Sequence, residues 1–441
     1  MYNELTNTMK ISAQSKYNKT GNIIFISNYP TFDEKGNMGN INGVSKYTYN
    51  LLSQLKKDTE VEGREIVVFA DITNDSGSKH YEENGLLVVR CWKKDDPHIF
   101  KKINSILINF NNIDRVFVHF EFNMYGDLLT TLQFPEFLRS LRRRHKNVTL
   151  LLHQVVKDLG ELGGHLNINS GSLKMKILNF GVRKFYRTIL GIADKIIVHD
   201  LIFKERLESI GRKNPVFVIP HGMVDNSDYC EVVDPRGKLG LKKNDFVILV
   251  FGFLTWYKGS DWIAKQFVNY YKKANDDSIK LILAGGRSAN LKDRKFYQKY
   301  YFDLLNTVEG YPNIIHTGFV PDDEVQDYYC ASDVVVFPYR THMSASGPFS
   351  LALSYDRPFF ISKELESVLD TNDIRKIMID LGIEKSDLTF SLNKPGDLFD
   401  KISKLIASKK RRNLMSLLSE RIKEEREWGK TAQKFLSIID A

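Results

Sequence analysis

Residues 246–267 read FVILVFGFLTWYKGSDWIAKQF. Six apolar residues, Phe246–Phe251, form a run of the kind that becomes a buried strand. Gly252 follows at once, and Lys258-Gly259 opens a helical stretch. In an open α/β sheet, ligands bind beyond the carboxyl ends of the strands. Backbone amides at a helix start favour an anion, and Lys258 adds a compact positive charge. This segment therefore reads as a strand, a phosphate-binding turn and a helix.

The same rhythm extends outward. Downstream lie Lys280–Ala284, Ile314–His316, Val334–Phe337 and Phe359–Ile361. Upstream lie Ile23–Ser27, Ile66–Ala70, Val116–Phe120, Val148–Leu152, Lys195–Val198 and Val216–Ile219, with helical stretches such as Gly43–Leu55 and Lys174–Leu190 between them. Strands alternating with helices predict parallel α/β sheets. A polar stretch with Asn226, Asp228, Pro235 and Gly237 breaks the rhythm. The chain is thus expected to hold two doubly wound α/β domains: a tail over 1–20, a first domain over 21–222, a linker over 223–245, a second domain over 246–410 and a long charged helix over 411–441.

Composition narrows the function classes. A chain of 441 residues exceeds one core, and 42% hydrophobic with 27% charged residues is an ordinary globular balance. Three cysteines far apart, Cys91, Cys230 and Cys330, exclude a disulfide scaffold or zinc ribbon and fit a reducing compartment. No apolar run is long enough to span a bilayer, and no metal-spaced His/Cys cluster occurs. The net charge of +9 allows an anionic partner: nucleotide, nucleic acid or membrane surface. An aromatic and basic RNA-recognition pattern is absent, so nucleic acid is not the expected one.

Several segments after apolar runs carry candidate chemistry. Asn42-Gly43 opens a helix after a Gly/Asn-rich loop. His119 and Glu121 follow VFV, and His153 follows VTLLL, at strand ends expected to face a cleft between the domains. Gly285-Gly286 follows LILA and admits a ligand close to the backbone. The run Pro338–Pro348 (PYRTHMSASGP) combines Arg340, Ser344, Ser346 and Gly347 before a helix, an anion-binding combination.

In chain order these segments resemble glycosyltransferase family 4, retaining nucleotide-sugar transferases of GT-B fold. The match rests on Asn42-Gly43-Val44, VFVHFEFNMYG (116–126), His153, VFVIPHGM (216–223), FGFLTWYKG (251–259) and, most specifically, IIHTGFVPDDEVQDYYCASDVVVFPY (314–339). Trp428 fits a C-terminal helix crossing back to the first domain. The resemblance implies two Rossmann-like domains facing a central cleft. It implies a donor side at Gly252, Gly259, Gly285, Gly286, Phe319, Ser344, Ser346 and Gly347, with Lys258 and Arg340 on the diphosphate and His153 near the transferred sugar. Asn42, Gly43, His119 and Glu121 fall on the acceptor side. The family's paired glutamates are missing: their positions hold Met343 and Leu351, and Phe253 replaces a common arginine.

The expected activity is transfer of a hexose-type sugar from a nucleotide diphosphate sugar to a glycan, lipid-linked or protein acceptor, in surface polysaccharide or glycoconjugate synthesis, with no metal or other cofactor. The missing glutamates motivate an alternative, a non-catalytic GT-B partner or chaperone of another transferase. The basic segments Arg139–Lys146 and Lys174–Arg187 allow a peripheral contact with anionic lipid. The expected location is the cytoplasm, at the inner face of the cell membrane. The oligomeric state is not legible.

Overall fold

The computed structural model describes Tyr17 and residues 21–440, apart from 33–37, 40–41, 62, 74–78, 146, 167, 212–213, 227, 233 and 289–290. Of the tail expected over 1–20, all but Tyr17 lies outside the described residues, as does Lys146 of the first basic segment.

The first unit is built on an eight-stranded sheet. Its strands are β1 (Asn22–Ile26), β4 (Glu65–Asp71), β5 (Lys79–Glu83), β6 (Leu86–Trp92), β7 (Ile113–Phe120), β8 (Val148–Leu152), β9 (Lys195–Val198) and β10 (Val216–Val218); a short ribbon, β2 (Thr31–Phe32) with β3 (Met38–Gly39), stands apart. The order is β10-β9-β8-β7-β1-β4-β6-β5, parallel throughout except for the β5–β6 pair. Alternate residues of β1 enter opposite cores. Ile24 and Ile26 join one, while Ile23 and Phe25 join the other, where Tyr47 and Leu51 of the Gly43–Val61 helix meet Trp428, Ala432 and Phe435. That two-sided burial is why the strands read as continuous apolar runs.

β6 (LLVVRCW) was not expected as a strand. It pairs with β5 through a turn at Asn84-Gly85, both at positive φ (49° and 74°), the geometry that a two-residue hairpin demands.

The second unit carries a six-stranded parallel sheet of β11 (Phe246–Phe251), β12 (Ile279–Ala284), β13 (Ile314–Gly318), β14 (Val334–Phe337), β15 (Phe359–Ser362) and β16 (Thr389–Phe390), in the order β13-β12-β11-β14-β15-β16. Each sheet has a point where successive strands depart in opposite directions: beside β1 in the first and β11 in the second. Crevices at such points take ligands.

The units divide the chain differently from the sequence expectation. The first comprises 1–157, 180–222 and 428–441, and the second 158–179 and 223–427. Residues 158–179 belong with the second because Glu161 accepts from Thr341 Oγ1 (3.0 Å), and a Cβ on Gly164 would lie 2.4 Å from the Trp256 ring. The expected linker contains the short helices Tyr229–Val232 and Pro235–Lys238. The expected single C-terminal helix is two, Lys409–Glu425 and Trp428–Asp440. Met415, Leu418 and Ile422 of the former lie in the second unit's core. Just beyond it, Arg426 grips Asp373 through two hydrogen bonds (2.6 and 3.2 Å). The cysteines also depart from expectation: Cys230 and Cys330 form a disulfide across 100 residues, and Cys91 is buried and free. A pairing at that separation leaves no spacing signature.

Candidate active site

In the second unit the loops after β11, β12, β13 and β14 converge. Gly252 follows β11 at φ 107°, its N–H donating to Ala284 O (2.8 Å). A Cβ there would lie 2.6 Å from Lys258 Nζ, so the missing side chain is the space the ammonium occupies. Lys258 ends a one-turn 3-10 segment, Trp256–Lys258, closed by Gly259 at φ 71°. A Cβ on Gly259 would come within 1.9 Å of Pro338 O, which leaves glycine as the only fit.

Lys258 is mostly buried, with its ammonium 6.0 Å from the Tyr339 ring centroid. Among the described residues no carboxylate pairs with it. Burial alone pushes its pKa down to about 8. A buried cation without a counter-ion is costly, and binding an anion removes that cost.

Arg340 requires a correction. It was expected to offer a second free cation. Its guanidinium instead forms a bidentate pair with Asp261 (2.7 and 2.8 Å), donates to Trp256 O and stacks on the Trp256 ring (4.8 Å). Its own N–H donates to Tyr257 O (2.7 Å). Arg340 therefore braces the turn that presents Lys258.

Ser346 caps the Gly347–Ser354 helix. Its Oγ accepts from the N–H of Phe349 (3.3 Å) and meets Tyr339 OH (3.0 Å). Pro348 has no N–H, so the exposed Gly347 supplies the first-turn amide not used by the cap. Ser344 is half-buried in the same loop. Gly285 donates its N–H to Thr317 Oγ1 (3.2 Å), and a Cβ on Gly286 would press on the Phe319 backbone at 3.0 Å. Phe319 is 71% exposed.

The first unit carries a different arrangement. His119 of β7, His153 after β8, His199 after β9 and His221 after β10 surround the buried Tyr47 ring, at centroid distances of 6.0, 5.0, 4.9 and 5.1 Å. Three of the imidazoles are joined in series, and one proton assignment satisfies them. His199 Nδ1 must donate to the carbonyl of Ile219 (3.1 Å), so its Nε2 accepts from His153 Nδ1–H (3.1 Å). His153 Nε2 then accepts from His119 Nδ1–H (3.1 Å), which also faces Ser27 Oγ (3.0 Å). His119 Nε2 is left buried with no partner, as is Tyr47 OH. Burial and mutual repulsion hold His119 and His199 down to about 3 and His153 well below the usual imidazole value.

This corrects two expectations. His153 has both ring nitrogens engaged and is buried, so it offers none to a sugar. His119 has no exposed surface for an acceptor. Glu121 lies on the loop after β7, its carboxyl raised by burial and lowered less by Lys94. Asn42 caps the Gly43–Val61 helix, accepting from Ser45 N–H (2.8 Å) while Ser45 Oγ accepts from Asn42 N–H (2.9 Å). Gly43 is exposed beside it. The sequence reading passed over His199, His221, Tyr47 and Asp261. A usable signal existed: VFVHF, LLLHQ, IIVHD and VIPHG are four apolar runs each reaching a histidine. No group of His, Cys, Asp and Glu among the described residues could hold a metal ion.

Residues 245–407 match the family described as Glycosyl transferases group 1. The matched stretch spans 163 of the 441 residues, less than half of the chain. It contains Lys258, Arg340 and the glycine-edged loops. An uncharacterized glycosyltransferase of Methanocaldococcus jannaschii is 27% identical over 113 residues, 26% of each chain. Over nearly the whole length, the fold is similar to a sucrose-phosphate synthase from Thermosynechococcus elongatus (TM-score 0.67, 14% identity, covering 95% of this chain and 98% of that one). It is similar to an α,α-trehalose-phosphate synthase (UDP-forming) from Burkholderia vietnamiensis (TM-score 0.68, 11% identity, 96% and 99%). It is also similar to Anabaena HepE in complex with UDP and glucose (TM-score 0.61, 13% identity, 95% and 99%). The fold is GT-B, with two Rossmann-like units.

Proposed function

We propose that the protein is a retaining glycosyltransferase of the family 4 type, moving a hexose-type sugar from a nucleotide diphosphate sugar to a glycan, lipid-linked or protein acceptor. The observation that carries this reading is the buried, uncompensated ammonium of Lys258 at the carboxyl end of β11, inside the stretch that matches the glycosyltransferase family. As the glycosidic bond breaks, negative charge grows on the leaving diphosphate, and fixed donors aimed at it lower the barrier most. Lys258 and the Gly347 amide supply them, with Ser344 and Ser346 in the same loop. Arg340 acts through Asp261 and Trp256 as a positioning residue. Gly252, Gly259, Gly285, Gly286 and Phe319 shape the donor side, with the base beside Phe319.

Asn42, Gly43 and Glu121 mark the acceptor side on the first unit. The UDP complexes among the similar folds make uridine the first base to try. A trehalose-6-phosphate synthase of similar fold is described as transferring with retention, which supports retention here. The proposed setting is surface polysaccharide or glycoconjugate synthesis in the cytoplasm, at the membrane face. A non-catalytic partner subunit has no use for a buried bare cation, which argues against that alternative.

The experiment is thermal unfolding with UDP, GDP and ADP, followed by donor hydrolysis. A shift with one nucleotide, lost in Lys258→Ala, is expected. No shift with any of them, or an undiminished shift in the variant, overturns the donor-site reading.

A further inference from the structure

The two basic segments of the first 190 residues have different fates. Near the end of the Leu128–Arg144 helix, Arg139 and Arg143 pair with Glu136 (3.1 and 2.9 Å), and Arg142 pairs with Asp194 (2.7 Å). Three of the segment's arginines are thus ion-paired within the fold, two of them on the same carboxylate. The Leu173–Ile192 helix, LKMKILNFGVRKFYRTILGI, contains no acidic residue. Its Lys174, Lys176, Arg183 and Lys184 are exposed and form no ion pair among the described residues.

The same helix keeps large apolar side chains in solvent. Leu173, Ile177 and Phe180 are 73%, 62% and 71% exposed. Their spacing of four and three residues puts them on one face, and Lys184 continues that row. The opposite face, with Met175, Tyr186 and Ile189, is fully buried and anchors the helix. A second exposed group, Leu128, Leu129 and Leu132 (65%, 69% and 61%), opens the Leu128–Arg144 helix. That helix packs Phe134 against Phe185 of the basic one, with ring centroids 6.4 Å apart.

We propose that the outer face of the Leu173–Ile192 helix docks on an anionic phospholipid surface. An apolar stripe bordered by unpaired lysine and arginine, with no acid on the helix, matches the interface between headgroups and acyl chains. The stripe enters the chains while the long basic stems reach back to the headgroups. The face gives a protein partner no carboxylate to recognise, and every charge on it selects for anions. This surface names the partner for a lipid-linked acceptor, and it rests on the function proposed above only for the purpose of docking.

The test uses the full chain, without donor or acceptor, and sedimentation with vesicles. Phosphatidylcholine alone is compared with a mixture containing phosphatidylglycerol. Binding to the mixture, weakening as salt rises, is expected. Lys174→Gln with Lys184→Gln should weaken partitioning about twenty-five-fold, at roughly fivefold per charge near the surface. Ile177→Ser with Phe180→Ser should weaken it at least tenfold, and Phe180→Ser alone serves if that pair unfolds. Arg143→Gln, in the paired segment, should bind like the parent. Equal binding to both vesicle types overturns the proposal. So do apolar and charge variants that bind undiminished, or a concentration-dependent dimer abolished by Phe180→Ser, which assigns the face to a second copy. Nucleotide shifts are read separately, so failure here leaves the donor site standing.

Discussion

At the ends of β7 to β10 stand His119, His153, His199 and His221, while beyond β11 and β12 stand Gly252 and Gly285 with Lys258 close by. The position in a parallel α/β sheet is the same, but the chemistry is not. Three of the histidines hydrogen-bond in series. His199 and His153 each donate from Nδ1 and accept at Nε2, and His119 donates from Nδ1, so these three rings are neutral and buried. The glycines leave backbone open and let one ammonium sit where a side chain would be. Strand-end location selects candidates; whether a group's hydrogen bonds are already taken separates a site from a brace.

The largest expected effect lies on the glycine side. Lys258→Ala should lower turnover with the true donor by about a hundred- to a thousandfold, as loss of one preorganised charge donor does; parent-like turnover would return the site to the histidine side. Gly259→Ala forces a Cβ onto Pro338 O at positive φ, and should cost roughly 1–3 kcal/mol in a denaturant titration.

The two regions also respond oppositely to pH. Lys258 must be protonated to hold a diphosphate. With its pKa at about 8, affinity should be full below that value and fall up to about tenfold per unit above it in calorimetry. Lys258→Arg should remove that decline. The histidines act at the acid end. The fold holds His119 and His199 near 3, whereas an unfolded imidazole titrates near 6.5, so the unfolded chain takes more protons between those values. Stability should be complete above about 6.5 and fall as pH drops, by up to about 1.4 kcal/mol per unit for each ring. His199→Phe should flatten that slope, and an unchanged slope would mean the chain is not neutral. The smallest effect is expected from Arg340→Lys, which keeps the charge and loses the fork on Asp261. It should raise the donor KM severalfold with kcat little changed.

Much of the architecture was legible because buried parallel strands are apolar on both faces. Runs such as Phe246–Phe251 and Val148–Leu152 announce themselves without partners. β6 was missed although its run is equally apolar, because the Asn84-Gly85 hairpin signal before it was not used. The break at Arg426 was invisible because it depends on Asp373, far away in sequence.

For the site, local spacing sufficed for the Lys258-Gly259 turn, since it is set by residues a few positions apart. It failed for Arg340 and His153. A lone arginine after a strand reads the same whether Asp261 takes its charge or a ligand does, and a lone histidine the same whether its nitrogens are engaged or open. Residue type and short-range order thus specified two α/β sheets and the turn at Lys258-Gly259. Long-range packing set which charges are neutralised, because a buried group's chemistry depends on the partners brought within about 3 Å of it. That is how Arg340 became a brace, His153 a link in a neutral chain, and Lys258 a cation with no carboxylate partner among the described residues.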